Sequence, residues 1–327
     1  MTSPLDAAAA LASPDLAALH AHLPGAQADI LADSVLFDAT DGHPVWGQWF
    51  TPLQHPVHAV AVLAPATGVP QRYYHAFAHW LARRGYAVLC FDYRGMGPGR
   101  APQAQASMRV WLRHDLSGAL RCAHQRCLRG PRKLPLLWVG HSLGGNGLPL
   151  VQGLEHIDAA VTVGSQFGYW RLWPRGWHRN VTRFFFGTWI PLWLRLSGKL
   201  PGWALGGGET LPRGAARDWS RWGMSPGYFR DDPRCAGWYQ PEAFQGHMQL
   251  WSIEDDKTYG PVDAVDALAA CYADSAGQVE RMHLHPREVG LKAVGHFGVF
   301  RKNAANTIWP LLLQHIEARV PRLQRTH

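Results

Sequence analysis

Leu136–Leu150 reads LLWVGHSLGGNGLPL, and within it Gly140-His141-Ser142-Leu143-Gly144 has the form G-x-S-x-G. In that form the chain passes from strand to helix within about one residue, which strains the serine and lifts its hydroxyl above the sheet edge. Side chains two positions before and after the serine would collide across such a turn, so both places call for glycine. The chemistry this permits is nucleophilic attack by Ser142 on a carbonyl.

A serine hydroxyl is a weak nucleophile without a base. Among the 18 histidines the sharpest candidate is His296, in Ala293-Val294-Gly295-His296-Phe297-Gly298, expected just after an apolar strand at Leu291–Val294. His141 lies in the turn itself, where its side chain points away from the serine oxygen, and reads as a supporting residue. The base needs a carboxylate to fix its tautomer and to stabilise the imidazolium. Glu254-Asp255-Asp256 follows an apolar run at Met248–Ile253, at the edge where Ser142 is expected. Asp256 is the first choice for the acid and Asp255 the alternative. A tetrahedral intermediate also needs two backbone N–H donors. Leu143, next after the serine, supplies one, and the loop Pro65–Val69 the other, with Thr67 as its best candidate.

These residues must be carried to one edge by regular elements. Ala59–Leu63, Tyr86–Phe91, Leu136–Val139 and Ala159–Val163 are short apolar runs of the kind buried on both faces of a parallel sheet. Between them, Tyr74, Phe77, Ala78 and Leu81 fall on one helix face, as do Leu112, Leu116, Ala119 and Ala123. A third helix is expected over Gly144–Leu154 and a last one around Asn303–Arg319. Before the alternation starts, Ser34–Thr51 reads as a hairpin about an Asp-Gly turn. The pattern predicts a mainly parallel α/β sheet flanked by helices, with right-handed crossovers.

The alternation stops at residue 165. Residues 165–245 hold nine of the sixteen tryptophans and no apolar strand run. They read as an inserted Trp-rich lid, in which Trp170, Trp173, Trp177, Trp189, Trp193 and Phe184–Phe186 either line an apolar pocket or pack the insert itself. Arg171, Arg175, Arg179 and Arg183 recur every four residues, the spacing of a basic helix face, although Pro174 and Gly176 oppose a regular helix at its start. The resulting map is an Ala-rich extension at 1–32, a core in two parts at 33–164 and 246–327, and the lid at 165–245.

Composition removes several function classes. The 327 residues are 47% hydrophobic and 17% charged, enough for a large core and too apolar for a disordered chain. The net charge is +8, but the basic residues are scattered, so no nucleic-acid partner is expected; anionic substrates or membrane surfaces remain compatible. The five cysteines, Cys90, Cys122, Cys127, Cys235 and Cys271, form no CxxC, which speaks against zinc or a disulfide framework and for a reducing, cytoplasmic setting. His20/His22 and His283/His285 lack a third ligand at suitable spacing for a metal. Gly206–Gly208 has no Lys-Ser/Thr after it for a phosphate loop, and Arg100 occupies the third-glycine position of the dinucleotide pattern begun by Gly95 and Gly97. No cofactor is called for, and no apolar stretch is long enough to span a bilayer.

The stretch from about 33 to 320 resembles the α/β-hydrolase superfamily. More closely, it is similar to bacterial α/β hydrolases related to the serine aminopeptidase and monoglyceride-lipase-like clan. The matching pieces are PATGVPQRYY at 65–74, FDYRGMG at 91–97, VGHSLGG at 139–145, GYW at 168–170, the Asp-Asp at 255–256 and GHFGVFR at 295–301. The resemblance implies Ser142 as nucleophile, Asp256 as acid, His296 as base, and Thr67 and Leu143 as oxyanion donors. The chain departs from the wider superfamily at Pro65-Ala66, where a His-Gly pair usually stands. The expected activity is a serine hydrolase acting on a small carboxylic ester. An acyltransferase or peptidase with the same triad, or a non-catalytic binding protein on the same fold, are the alternatives.

Overall fold

The computed structural model describes residues 29–97 and 105–323. The N-terminal extension up to residue 28, with His20 and His22, and Arg100 lie outside the described residues. Among the described residues eight strands form one sheet: β1 (Ile30–Asp38), β2 (Pro44–Pro52), β3 (Ala59–Ala64), β4 (Tyr86–Phe91), β5 (Leu136–His141), β6 (Ala159–Val163), β7 (His247–Ile253) and β8 (Gln278–Leu284). Their order is β1-β2-β4-β3-β5-β6-β7-β8. The β1–β2 and β2–β4 pairs are antiparallel and the other five parallel. The sheet therefore starts at Ile30, inside the stretch assigned to the extension.

Strands β3 to β7 are buried along their whole length because helices cover both sheet faces. On one face, Ala59, Ala61 and Leu63 share a core with Phe77 and Leu81 of helix α1 (His75–Ala82) and with Ile308, Leu312 and Ile316 of the C-terminal helix Ile308–Arg319. On the other, Val60 and Val62 join Leu116, Ala119, Leu120 and Ala123 of α2 (Leu116–Cys127). Period-two alternation thus feeds two cores, and side chains one residue apart never compete for one space.

Two expected elements are absent. Gly144–Leu154 is not one helix: α3 covers only Leu143–Asn146 and a 3-10 turn spans Leu148–Leu150, with Pro149 interrupting the backbone ladder. Leu291–Val294 is not a strand but a loop after the 3-10 turn Pro286–Val289.

The insertion between β6 and β7 carries α4 (Trp177–Phe184), α5 (Ile190–Leu196) and α6 (Arg213–Met224). A π-helical turn, Phe185–Trp189, joins α4 to α5 just before Pro191, where the extra residue accommodates the missing N–H. Helix α4 starts after Gly176 (φ +87°), so Arg171 and Arg175 precede it and the four arginines do not form one helix face.

Arg94, buried just past β4, ties three parts together. Its guanidinium donates to both oxygens of Asp41 in the β1–β2 turn, at 2.7 Å each, and to Asp115 at 2.7 Å. Its own N–H also reaches Asp115 at 3.0 Å. Arg94→Met removes the cation beside a fully buried carboxylate, and the expected loss is about 3–5 kcal/mol in urea unfolding. A loss below about 1 kcal/mol would contradict this role for the pair.

Candidate active site

Ser142 sits between β5 and α3 at φ +49° and ψ −110°; Ser142 and Tyr228 are the non-glycine residues with positive φ among those described. A backbone held there costs about 1–3 kcal/mol, so its surroundings must enforce it. Ser142 N–H donates to Val163 O at 2.9 Å, and Ser142 O accepts from Gly145 and Asn146 N–H at 3.0 and 2.9 Å. Trp138 Nε1 donates to Gly144 O at 2.9 Å. The glycines are required by close approach: a Cβ on Gly140 would lie 2.6 Å from the Gly145 backbone, and one on Gly144 2.1 Å from Ala64 O of β3.

His296 and Asp256 meet although 40 residues separate them. Asp256 follows β7 by three residues, and its Oδ2 lies 2.6 Å from His296 Nδ1, with both side chains buried. Asp256 Oδ1 accepts from Tyr259 N–H at 3.1 Å. The neighbouring Asp255 accepts from Val294 and Gly295 N–H at 2.9 Å each. Two adjacent carboxylates therefore divide the work, one on the imidazole and one on the backbone leading to it. Gly164 leaves room for the pair, since a Cβ there would be 2.9 Å from His296 Nδ1. The loop is pinned again beyond the histidine, where Tyr73 hydroxyl donates to Phe297 O.

His141 is fully buried. Burial, reinforced by the nearby His296 ring, holds its pKa well below the usual histidine range, so it is neutral. Its Nε2 lies 3.0 Å from His296 O, which can only accept, so the single proton belongs on Nε2. Its Nδ1 then accepts from the Tyr74 hydroxyl at 2.7 Å, and that hydroxyl accepts from Ala66 N–H at 2.9 Å. One chain of hydrogen bonds thus joins the loop after β3, the serine turn and the histidine loop.

The loop carrying Thr67 is held from both sides. Tyr93 hydroxyl donates to Pro65 O at 3.0 Å, and Asp92 accepts from Gln71 N–H and Nε2 at 2.8 Å each. From the insertion, Glu209 N–H donates to Gly68 O at 2.8 Å. Ser142, His296 and Thr67 line one cavity of about 380 Å³, together with Asn146, Gln166, Trp219 and Tyr259. Leu143 is buried next to Ser142. A second cavity of about 230 Å³ shares Gln166, Leu205, Gly206, Trp219 and Tyr259 with the first and continues between Trp173, Phe185 and Phe186.

Of the aromatic residues singled out in the insertion, only Trp173, Phe185 and Phe186 line these cavities. Trp177 and Phe184 are exposed, while Trp189 and Trp193 pack edge to face. Trp219, Tyr259, Gln166 and Tyr74 were missed. Trp219 sits in α6, where the repeat of buried Ala215, Ala216 and Trp222 signals a packed helix but not a cavity wall. Tyr74 shares the apolar helix face of Phe77, Ala78 and Leu81, a repeat that signals burial but not the hydrogen bonds to Ala66 and His141.

A family model described as serine aminopeptidase, S33, matches residues 55–221, just over half of the chain. Two proteins called uncharacterized protein YfhR match over 142 residues, one from Escherichia coli O157:H7 at 32% identity and one from strain K12 at 33%. Each match covers 42% of this chain and 48% of the relative, so the chain spans about half the length of the curated relatives it matches. Among solved structures, a soluble variant of monoglyceride lipase from Saccharomyces cerevisiae has a TM-score of 0.60 at 16% identity, covering 90% of this chain and 96% of that one. An esterase from Exiguobacterium antarcticum has a TM-score of 0.54 at 15% identity, covering 87% and 100%. Identities this low speak for the fold alone.

Tyr74→Phe strands Ala66 N–H and His141 Nδ1 inside the core. The expected loss in chemical denaturation is about 1–3 kcal/mol; a change under about 0.5 kcal/mol would show that the chain of hydrogen bonds carries no weight.

The match across residues 55–221 and the sheet that carries it agree: the chain belongs to the serine aminopeptidase S33 family of hydrolases and has the α/β-hydrolase fold.

Proposed function

We propose that this protein is a serine hydrolase that cleaves a carboxylic ester through an acyl-enzyme. The observation that carries the reading is the buried 2.6 Å contact between His296 Nδ1 and Asp256 Oδ2 in a histidine that shares a cavity wall with the strained Ser142. Asp256 holds the proton of His296 on Nδ1, which leaves Nε2 to take the proton of Ser142 Oγ as that oxygen attacks the ester carbonyl. Backbone N–H groups of Leu143 and Thr67 receive the developing oxyanion. The imidazolium then gives its proton to the departing alkoxide. Water then attacks the acyl carbon as the same nitrogen takes its proton, the acid departs, and the imidazolium returns that proton to Ser142 Oγ.

An ester is favoured over the free amino terminus of a peptide by the charge on the walls. The residues lining the two cavities carry, besides His296, one ionisable side chain of fixed charge, the cation Arg72. A substrate ammonium would need a carboxylate there. The apolar cavity between Trp173, Phe185, Phe186 and Trp219 suits the acyl chain, and residues 165–245 act as the lid that supplies it.

A fluorophosphonate probe should label Ser142, with labelling and p-nitrophenyl ester hydrolysis both lost in Ser142→Ala. A folded protein that is not labelled, or a Ser142→Ala variant that retains activity, overturns the reading. Across p-nitrophenyl esters of rising chain length, kcat/KM should climb roughly three- to fourfold per methylene until the apolar cavity is filled. A flat profile would remove the acyl role of that cavity.

A further inference from the structure

We propose that the outward face of the insertion docks on an anionic lipid surface. Thirteen large apolar side chains are exposed among the described residues, and six of them fall within 177–203: Trp177, Val181, Phe184, Leu192, Leu196 and Trp203. Apolar residues scattered singly over a surface need no explanation, but this concentration does. The first three follow helical spacing on α4. The extra residue of the π-turn shifts the register by one, which brings Leu192 and Leu196 of α5 round to the same side.

The inner side of the same helical stretch is already apolar and used. Phe186, Ile190 and Leu194 are buried in the core that the insertion shares with the sheet. A helix apolar on both sides is normally enclosed, yet here the outer stripe faces solvent, with Trp177 72% and Leu196 68% exposed.

Charge selects the occupant. From residue 159 to residue 208 the chain has no aspartate or glutamate. Over that span Arg171, Arg175, Arg183, Arg195 and Lys199 are exposed, close in sequence to the apolar stripe. Apolar rings and leucines with arginine and lysine beside them, and no acid, match a bilayer surface with anionic headgroups. The rings enter the acyl boundary while the long cationic side chains reach up to phosphate. The attachment is peripheral: among the described residues no helix is long and apolar enough to cross a membrane. Val181 belongs both to the exposed stripe and to the wall of the apolar cavity. Val181 thus stands between the proposed lipid-facing surface and that cavity.

The test is cosedimentation of the full chain with vesicles of phosphatidylcholine alone and of phosphatidylcholine mixed with phosphatidylglycerol. It measures binding without turnover, so it stands apart from the hydrolase reading. Affinity for the anionic vesicles should exceed that for neutral ones by about tenfold or more and weaken sharply in about 1 M salt. Trp177→Ser with Leu196→Ser should lower it at least about tenfold, and Arg175→Gln with Arg195→Gln roughly fivefold per cation removed, all with an unchanged circular dichroism spectrum. No binding, equal binding to both vesicles, or binding that survives these substitutions overturns the proposal. So does a dimer in light scattering that the apolar substitutions dissociate, because a second copy would then be the occupant.

Discussion

The contact between His296 Nδ1 and Asp256 Oδ2 is the constraint around which the rest of the site is arranged. It joins the turn after β7 to the single helical turn Gly295–Gly298 after β8, short segments with few backbone bonds of their own: Asp256 N–H donates to Ile253 O and Gly298 N–H to Val294 O, at 3.0 Å each. Asp255 compensates on one side by receiving Val294 and Gly295 N–H, and His141 and Tyr73 compensate on the other by donating to His296 O and Phe297 O. An imidazole held at both flanks and at its ring is already fixed in place, as the proposed proton transfer requires. The parallel sheet makes this possible, since β5 and β7 both end at the edge where the loops meet.

The insertion is part of the site rather than an ornament on it. Glu209 N–H fixes Gly68 O, and Tyr259 hydroxyl reaches Leu205 O at 3.0 Å, so the loop with Gly206–Gly208 is fastened to both halves of the core. Gly208 is needed for that approach, as a Cβ there would sit 2.6 Å from Gly68 O. The cavity is consequently walled by loops of the core below and by α6 and its neighbours above. Its polar end lies at Ser142 and its apolar end among the insertion's rings, an asymmetry that suits a substrate with one polar and one apolar end.

Much of this arrangement was legible in the sequence because the signals were local. The runs at Ala59–Leu63, Tyr86–Phe91 and Ala159–Val163 are strands, since a strand buried on both faces leaves a continuous apolar run. G-x-S-x-G identified the turn because close approach admits only glycine. What sequence spacing could not resolve was long-range. Asp255 and Asp256 are told apart by the partners each meets 39 or 40 residues away. The run Leu291–Val294 looks like a strand until Asp255 is seen capturing the N–H groups of Val294 and of Gly295 after it. The insertion's tryptophans share one composition but serve as cavity wall, internal packing and exposed stripe, and only tertiary placement separates these uses.

Val181, exposed on one side and lining the apolar cavity on the other, is where the outer stripe and that cavity come nearest in the chain. Ester cleavage itself rests on Ser142, His296 and Asp256 acting together. A crystal structure of the protein after reaction with a phosphonate inhibitor tests it most directly. Phosphorus should be bonded to Ser142 Oγ, with a phosphoryl oxygen within hydrogen-bond distance of Leu143 and Thr67 N–H and His296 still on Asp256, its Nε2 turned to the adduct. Phosphorus on another residue, or an adduct at Ser142 from which the His296 ring points away, would contradict it.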